Sequence, residues 1–272
     1  MPSNAYRASA RDRELRHMDR SKPSHVRRHP RLRQVQRVKV MKWWLAILLL
    51  VPMGLITALT LGEMLWRAMT RLAFWRTEAF IFFLLGGLAW GAAYLAGWRP
   101  IRSYVFGHEM SHLVVARLFG GKIFDWKVTA QGGFVETNKT NTWITLAPYL
   151  LPVYSIAVLA LFGMAGIVWR LHEVHVLGFG SFSLALKPVW IFYAMLGLTW
   201  FFHATFTLKT VIAEQSDLER NGEFFSLLLI FLITVLLLVA LFIAASPAPG
   251  LGLAEAGRCW LGTARSVFGF ML

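Results

Sequence analysis

The sequence predicts an all-α polytopic membrane protein with about six transmembrane helices and a small β-hairpin. Of its 272 residues, 57% are hydrophobic and only 15% are charged, a balance that is not typical of soluble globular domains. Six apolar segments approach the length of roughly 20 residues that a helix needs to cross a bilayer. One other segment, residues 123–138, alternates apolar and polar side chains around glycines, as paired strands do.

The first 42 residues form a basic N-terminal arm. They carry 13 basic and three acidic residues, and therefore +10 of the net charge of +14. Their richness in Arg, Ser and Pro favours disorder. A basic arm directly before an apolar helix is typical of the cytoplasmic end of a first span, and it can bind anionic lipids. Nucleic acid is not an expected partner, because no nucleic-acid-binding module accompanies the arm.

Residues 43–245 form the predicted transmembrane domain. Pro52 is expected to kink its first helix, and Gly120-Gly121 to cap the third. Residues 170–186 are predicted to be a mixed linker, and residues 246–272 a short C-terminal tail. The predicted transmembrane segments are 43–62, 79–98, 101–119, 144–169, 188–208 and 224–245.

A metal-binding pattern lies in the third of these segments. On a helix, His108 and His112 share one face and can offer two imidazole nitrogens to one metal ion. Glu109 points away from that face by roughly 100° and can address a water molecule on the metal. Ionisable groups at bilayer depth are costly unless they are paired or used, which favours a functional site. The alternative is a pair of core histidines hydrogen-bonded to their neighbours.

Two histidines need a third protein ligand to form a catalytic zinc site. The single cysteine, Cys259, leaves no thiolate cluster for a metal, so the third ligand is expected to be a histidine or a carboxylate. Asp217 is the best candidate, because it precedes the last span and suits a helix N-terminus. Its alternative role is that of a helix cap. His203, inside the fifth span, could be a ligand, a partner of a ligand or a donor to the transition state. Equally, it could be bonded to a backbone carbonyl of a neighbouring helix.

The stretch from Phe106 to His112 (FGHEMSH), the following Gly120-Gly121, the glycine-centred hairpin and Ala147-Pro148 resemble the site-2 protease family. The resemblance covers about residues 101–226. In that family the third ligand is an Asp followed by Gly, whereas Asp217 here is followed by Leu218.

The resemblance implies an intramembrane metalloprotease with zinc as its cofactor. His108, His112 and Asp217 would bind the metal, and Glu109 would be the catalytic acid/base. The partners would be a membrane protein or peptide substrate and the lipid bilayer itself. We expect a multi-pass integral membrane protein, with a bacterial inner membrane as its location.

Membrane orientation and function class stay open at this point. The basic arm favours a cytoplasmic N-terminus, which would place the hairpin and Asp217 outside, whereas the family resemblance implies a cytoplasmic active site. A catalytically inactive metal-binding membrane protein is one alternative function. The other is a transporter or proton relay that uses the same residues.

Overall fold

The computed structural model describes residues 30–179, 182–213, 216–245 and 252–271. These residues are mainly helical and include two small two-stranded antiparallel sheets, which confirms the predicted helical class. The elements are α1 Pro30–Leu45, α2 Val51–Arg71, α3 Glu78–Leu95, α4 Ile101–Leu118, β1 Ile123–Thr129, β2 Gly132–Thr137, α5 Thr142–Leu150, α6 Val153–Val168, β3 His175–Phe179, β4 Phe182–Leu186, α7 Pro188–Ile212, α8 Ser216–Asn221, α9 Glu223–Ala245 and α10 Leu253–Met271.

Several helices are long and apolar enough to cross a membrane. Within the described residues there are four, or five if the bent pair α5–α6 counts as one span. This is consistent with an integral membrane protein, but the predicted count of six spans is not confirmed. Helix α4 is not among them, because Arg102, His108 and Glu109 lower its hydropathy. The four spans are Gln36–Arg71, Glu78–Leu95, Pro188–Ile212 and Glu223–Ala245.

The N-terminal arm is described only in part. The described residues from position 41 onward form one compact unit, and residues 30–40 are divided from it. Residues 1–29 of the predicted disordered arm lie outside the described residues, and from Pro30 the arm is helical as part of α1. A π-helical turn at Ala46–Leu50 directly precedes α2 and its Pro52. Proline has no N–H to give to the preceding turn, and the wider π turn accommodates this loss.

Helix α4 ends as its sequence predicts. Gly120 has φ of +71°, the left-handed conformation that ends many helices. The Gly121 N–H donates to the Ala116 carbonyl at 2.7 Å, which satisfies one of the last free carbonyls of the helix. The predicted glycine cap is therefore confirmed, and the chain leaves α4 directly into β1.

The two sheets are both short hairpins. Strands β1 and β2 pair from Thr129 with Gly132 to Ile123 with Thr137. Strands β3 and β4 form the second hairpin, where the sequence analysis predicted a mixed linker, so that prediction was wrong. The sequence contained a signal for this hairpin: two short runs of residues with high β-propensity stand on either side of Gly180-Ser181.

A bend at a proline and a close helix crossing at a glycine shape the rest of the domain. Helices α5 and α6 are bent by 72° at Leu151-Pro152, because the N–H that would continue α5 is absent at the proline. Helices α3 and α7 cross at very close range: a Cβ on Gly197 would lie 1.9 Å from the Phe83 carbonyl oxygen. Only glycine permits that approach of two backbones.

The predicted C-terminal tail contains helix α10, and residues 246–251 between it and α9 lie outside the described residues. Helix α10 packs along α2. The Trp260 indole N–H donates to the Thr57 hydroxyl at 3.0 Å, and buried Cys259 lies in the same contact. This end of the chain is therefore part of the packed domain.

Candidate metal centre

Three predicted ligands converge at one point. Helix α4 presents His108 and His112 on one face, with ring centroids 5.0 Å apart, and α8 brings Asp217 to that face. The Asp217 Oδ2 atom lies 3.9 Å from His108 Nε2 and 3.7 Å from His112 Nε2. Folding therefore brings together residues more than one hundred positions apart in the sequence.

The donor set fits a zinc ion. One ligand atom from each of the three residues lies within 4.8 Å of the other two. In a tetrahedral zinc site with bonds of about 2.1 Å, neighbouring donor atoms lie roughly 3.4 Å apart. The observed spacing is slightly wider, so small side-chain rotations would complete the coordination. Two imidazoles and one carboxylate are also donors that zinc prefers.

His112 is held by the protein backbone. Its Nδ1 atom lies 2.7 Å from the Ile144 carbonyl oxygen, at the start of α5. A carbonyl can only accept, so Nδ1 carries the proton and Nε2 keeps its lone pair for a metal. Asn141 caps this turn of α5 by accepting from the Ile144 N–H at 2.8 Å. The carbonyl that orients His112 is therefore part of a well-ordered helix start.

His108 is held by side chains instead. Its Nδ1 atom lies 3.3 Å from the Tyr104 hydroxyl, one turn earlier on α4. The ring also meets the edge of Tyr149, with centroids 5.9 Å apart. Tyr149 is buried, and within the described part of the chain its hydroxyl has no hydrogen-bond partner.

Glu109 is buried beside the three ligands, with only 6% of its surface exposed. Its carboxylate makes no hydrogen bond or ion pair with any other residue of the described ranges. Strand β2 packs directly on it, because a Cβ on Gly133 would lie 2.6 Å from Glu109 Cγ. The backbone of the hairpin thus lies against Glu109, and no Lys or Arg of the described residues pairs with its carboxylate.

These groups open into a cavity of about 870 Å³. Residues of α4, α8, strand β2, the start of α5 and the end of α7 line it. This volume is in the range of sites that bind a peptide segment or a small ligand. The site residues at the cavity wall include His108, Glu109, His112, Gly133, Thr210 and Asp217.

A second polar cluster fixes the short helix α8. The Asn221 side-chain oxygen, at its last residue, accepts from the Lys42 amine at 2.7 Å and from the Thr142 hydroxyl at 2.9 Å. Lys42 also donates to Thr142 at 2.9 Å. The Asn221 amide reaches back to the Asp217 carbonyl oxygen at 3.4 Å. This Lys42–Thr142–Asn221 cluster ties α1 and α5 to the helix that bears the third ligand.

His203 does not join the metal-binding group of the described residues. It lies on α7, with its ring centroid 6.3 Å from that of Trp200. The expected bond to a backbone carbonyl stays a prediction.

Sequence reasoning missed Lys42, Thr142, Asn221, Tyr104 and Thr210. Tyr104 lies one turn before His108, and this i, i+4 spacing was the signal that could have found it. The other four meet their partners only through the tertiary fold.

Comparison of the chain with protein-family models, curated proteins and solved structures found no match.

Proposed function

We propose that this protein is an intramembrane zinc metalloprotease of the site-2 protease type. One observation carries the proposal: a buried carboxylate without a partner in the described residues, Glu109, lies next to three converging metal donors. A buried carboxylate is costly unless it is paired or functional. A site that only stored metal would have no use for an additional free carboxylate, whereas hydrolysis requires a general base.

The metal would be held by His108, His112 and Asp217. When bound, zinc supplies Lewis acidity, which brings the pKa of a bound water to about 7 and polarises a carbonyl group. Glu109 accepts the proton of the attacking water and later donates it to the departing amine. Glu109 therefore serves first as a base and then as an acid, and its carboxylate is unprotonated again at the end of each turnover.

Strand β2 is the proposed binding edge for the substrate. It pairs with β1 on one side, and its residues line the cavity on the other. An extended peptide could pair with this edge through main-chain hydrogen bonds. A membrane helix keeps its carbonyls bonded internally, so the substrate must unwind locally before cleavage. The substrate class is therefore a membrane-embedded segment that extends readily.

We place the protein in a bacterial inner membrane, with α4 at bilayer depth as a further helix of the membrane domain. The basic N-terminal arm would lie at anionic lipid headgroups, where each Lys or Arg contributes about 1 kcal/mol.

The test combines metal analysis with the variant Glu109→Gln. The purified wild-type protein should contain one zinc per chain and cleave single-span model peptides in liposomes. Glu109→Gln keeps the shape and the metal but removes the base, so cleavage should fall about 100- to 10,000-fold with zinc content unchanged.

Asp125→Asn is the matched control, because this carboxylate is exposed on strand β1 of the same hairpin and is not among the described residues that line the cavity. It should cleave like the wild type. Full cleavage by Glu109→Gln would refute the acid/base role. Zinc without cleavage in the wild type would favour an inactive metal-binding protein, and a protein without zinc would favour a proton relay.

A further inference from the structure

A chain of hydrogen bonds runs from His108 to helix α7. The Tyr104 hydroxyl lies 3.3 Å from His108 Nδ1 and 2.7 Å from Thr210 Oγ1. The Thr210 hydroxyl in turn donates to the Phe206 carbonyl oxygen at 2.7 Å. Thr210 is buried, with 8% of its surface exposed, so its hydroxyl has little access to water.

The direction of this chain follows from counting hydrogens. A threonine hydroxyl has one hydrogen, and the Phe206 carbonyl can only accept it. Thr210 therefore has only a lone pair to offer Tyr104, and the tyrosine must donate to it. The Tyr104 oxygen then accepts from His108, which requires a proton on Nδ1. The Nε2 atom of His108 is left with its lone pair, on the side of Asp217.

We propose that Tyr104 and Thr210 are positioning residues for the metal centre. They hold His108 as the Nδ1–H tautomer and fix its ring plane, so that Nε2 faces the same point as the ligand atoms of His112 and Asp217. This inference rests on the proposed metal site. It assigns to α7 a part in that site, although α7 contributes none of the three ligands.

The packing around Tyr104 separates its hydroxyl from its ring. The ring stacks on Phe206 with centroids 4.6 Å apart and an angle of 11° between the planes. Because phenylalanine would keep this stack, Tyr104→Phe removes only the hydroxyl. At Thr210, valine keeps the shape and removes the hydroxyl, whereas serine keeps the hydroxyl. Thr210→Ser is thus a conservative variant that keeps the hydrogen bond, and Tyr104→Phe is one that removes only the hydroxyl.

The experiment measures zinc affinity and the metal's environment, both independent of cleavage. Zinc dissociation constants would be measured by chelator competition on the full-length protein in detergent, and Co²⁺ absorption spectra on the same samples. Tyr104→Phe and Thr210→Val should each weaken zinc binding about 10- to 100-fold, as loss of partners of metal ligands does elsewhere, and should change the cobalt spectrum. Thr210→Ser should bind zinc like the wild type.

Tyr94→Phe is the control, because this tyrosine packs on the same Phe206 and lies outside the metal site. It should leave both readouts unchanged. If Tyr104→Phe and Thr210→Val bind zinc as the wild type does, with unchanged cobalt spectra, the positioning role is wrong while the proposed protease stands. A wild-type protein that binds no zinc would overturn both. If Thr210→Val does not fold, Tyr104→Phe with its retained stack decides the matter alone.

Discussion

Charged side chains are treated differently in two regions of this membrane domain. Between α2 and α10, Arg67 pairs with Glu63 and lies 3.4 Å from Glu255, and Arg258 lies 2.8 Å from Glu255. This network is balanced, with two cations and two carboxylates. At the candidate metal centre, Glu109 has no cationic partner among the described residues, and Asp217 faces two imidazoles.

The difference shows which charges are paired within the protein and which are left available to a ligand. Paired charges between α2 and α10 satisfy one another and need no ligand. The centre on α4 concentrates acceptors and lone pairs toward one point, an arrangement that is stable only with a cation or protons present. The imbalance at that point, more than the number of ionisable groups, distinguishes the candidate site from the rest of the chain.

The largest expected effect is loss of the third ligand. Asp217→Ala leaves two imidazoles without a carboxylate, so zinc affinity should fall by more than roughly 100-fold, since losing only an outer partner costs 10- to 100-fold. Chelator competition on the purified protein measures this change. Glu219→Ala, on the exposed side of the same short helix, should bind zinc normally. Normal zinc binding by Asp217→Ala would contradict the three-ligand site.

A smaller effect is expected from the hairpin. In Gly133→Ala the new Cβ would meet Glu109 Cγ and the Lys127 carbonyl oxygen, each at 2.6 Å, so the strand or the carboxylate must shift. A shift of about 1 Å at a catalytic group can cost on the order of 100-fold in rate. Cleavage of the model peptides should fall to that extent while zinc content stays constant. Gly178→Ala, in the other hairpin, meets nothing within 4 Å and serves as the control.

The smallest effect is expected in the paired region. Glu255→Gln removes a carboxylate from the network between α2 and α10, whose members are partly exposed. Such pairs contribute about 1 kcal/mol or less, so the thermal unfolding midpoint should change little. Zinc content and cleavage should match the wild type. A loss of cleavage as large as that of Gly133→Ala would remove the distinction between the two regions.

Local patterns predicted the local parts of this structure. The spacing of His108 and His112 and the glycine cap at Gly120 each depend on residues within a turn or two of one another. The side chains that orient the site do not. Tyr104 with Thr210, and Lys42 with Asn221, meet only after distant helices pack, and neither pair carries a periodic signal.

The number of spans was the weakest part of the sequence prediction. The apolar residues of helix α4 predict a span. Its polar groups, which form the candidate site, make it less hydrophobic than the four helices that are apolar enough to cross a membrane. The polar residues of the candidate site therefore lower the mean hydropathy of the 18-residue helix that carries them. The second hairpin was missed because its two short runs lie between long apolar segments that dominate any reading of that region.

The hydrogen bond from Lys42 to Asn221 joins positions 179 residues apart. Helix α8 is thus secured by a lysine near the start of the first long apolar helix and by an asparagine that is synthesised long after it. During biogenesis, the two histidines of α4 are in place well before their carboxylate partner has left the ribosome. A nascent or truncated chain that ends before residue 217 lacks a complete donor set, and the candidate metal centre stays unassembled until both ends of the domain have met.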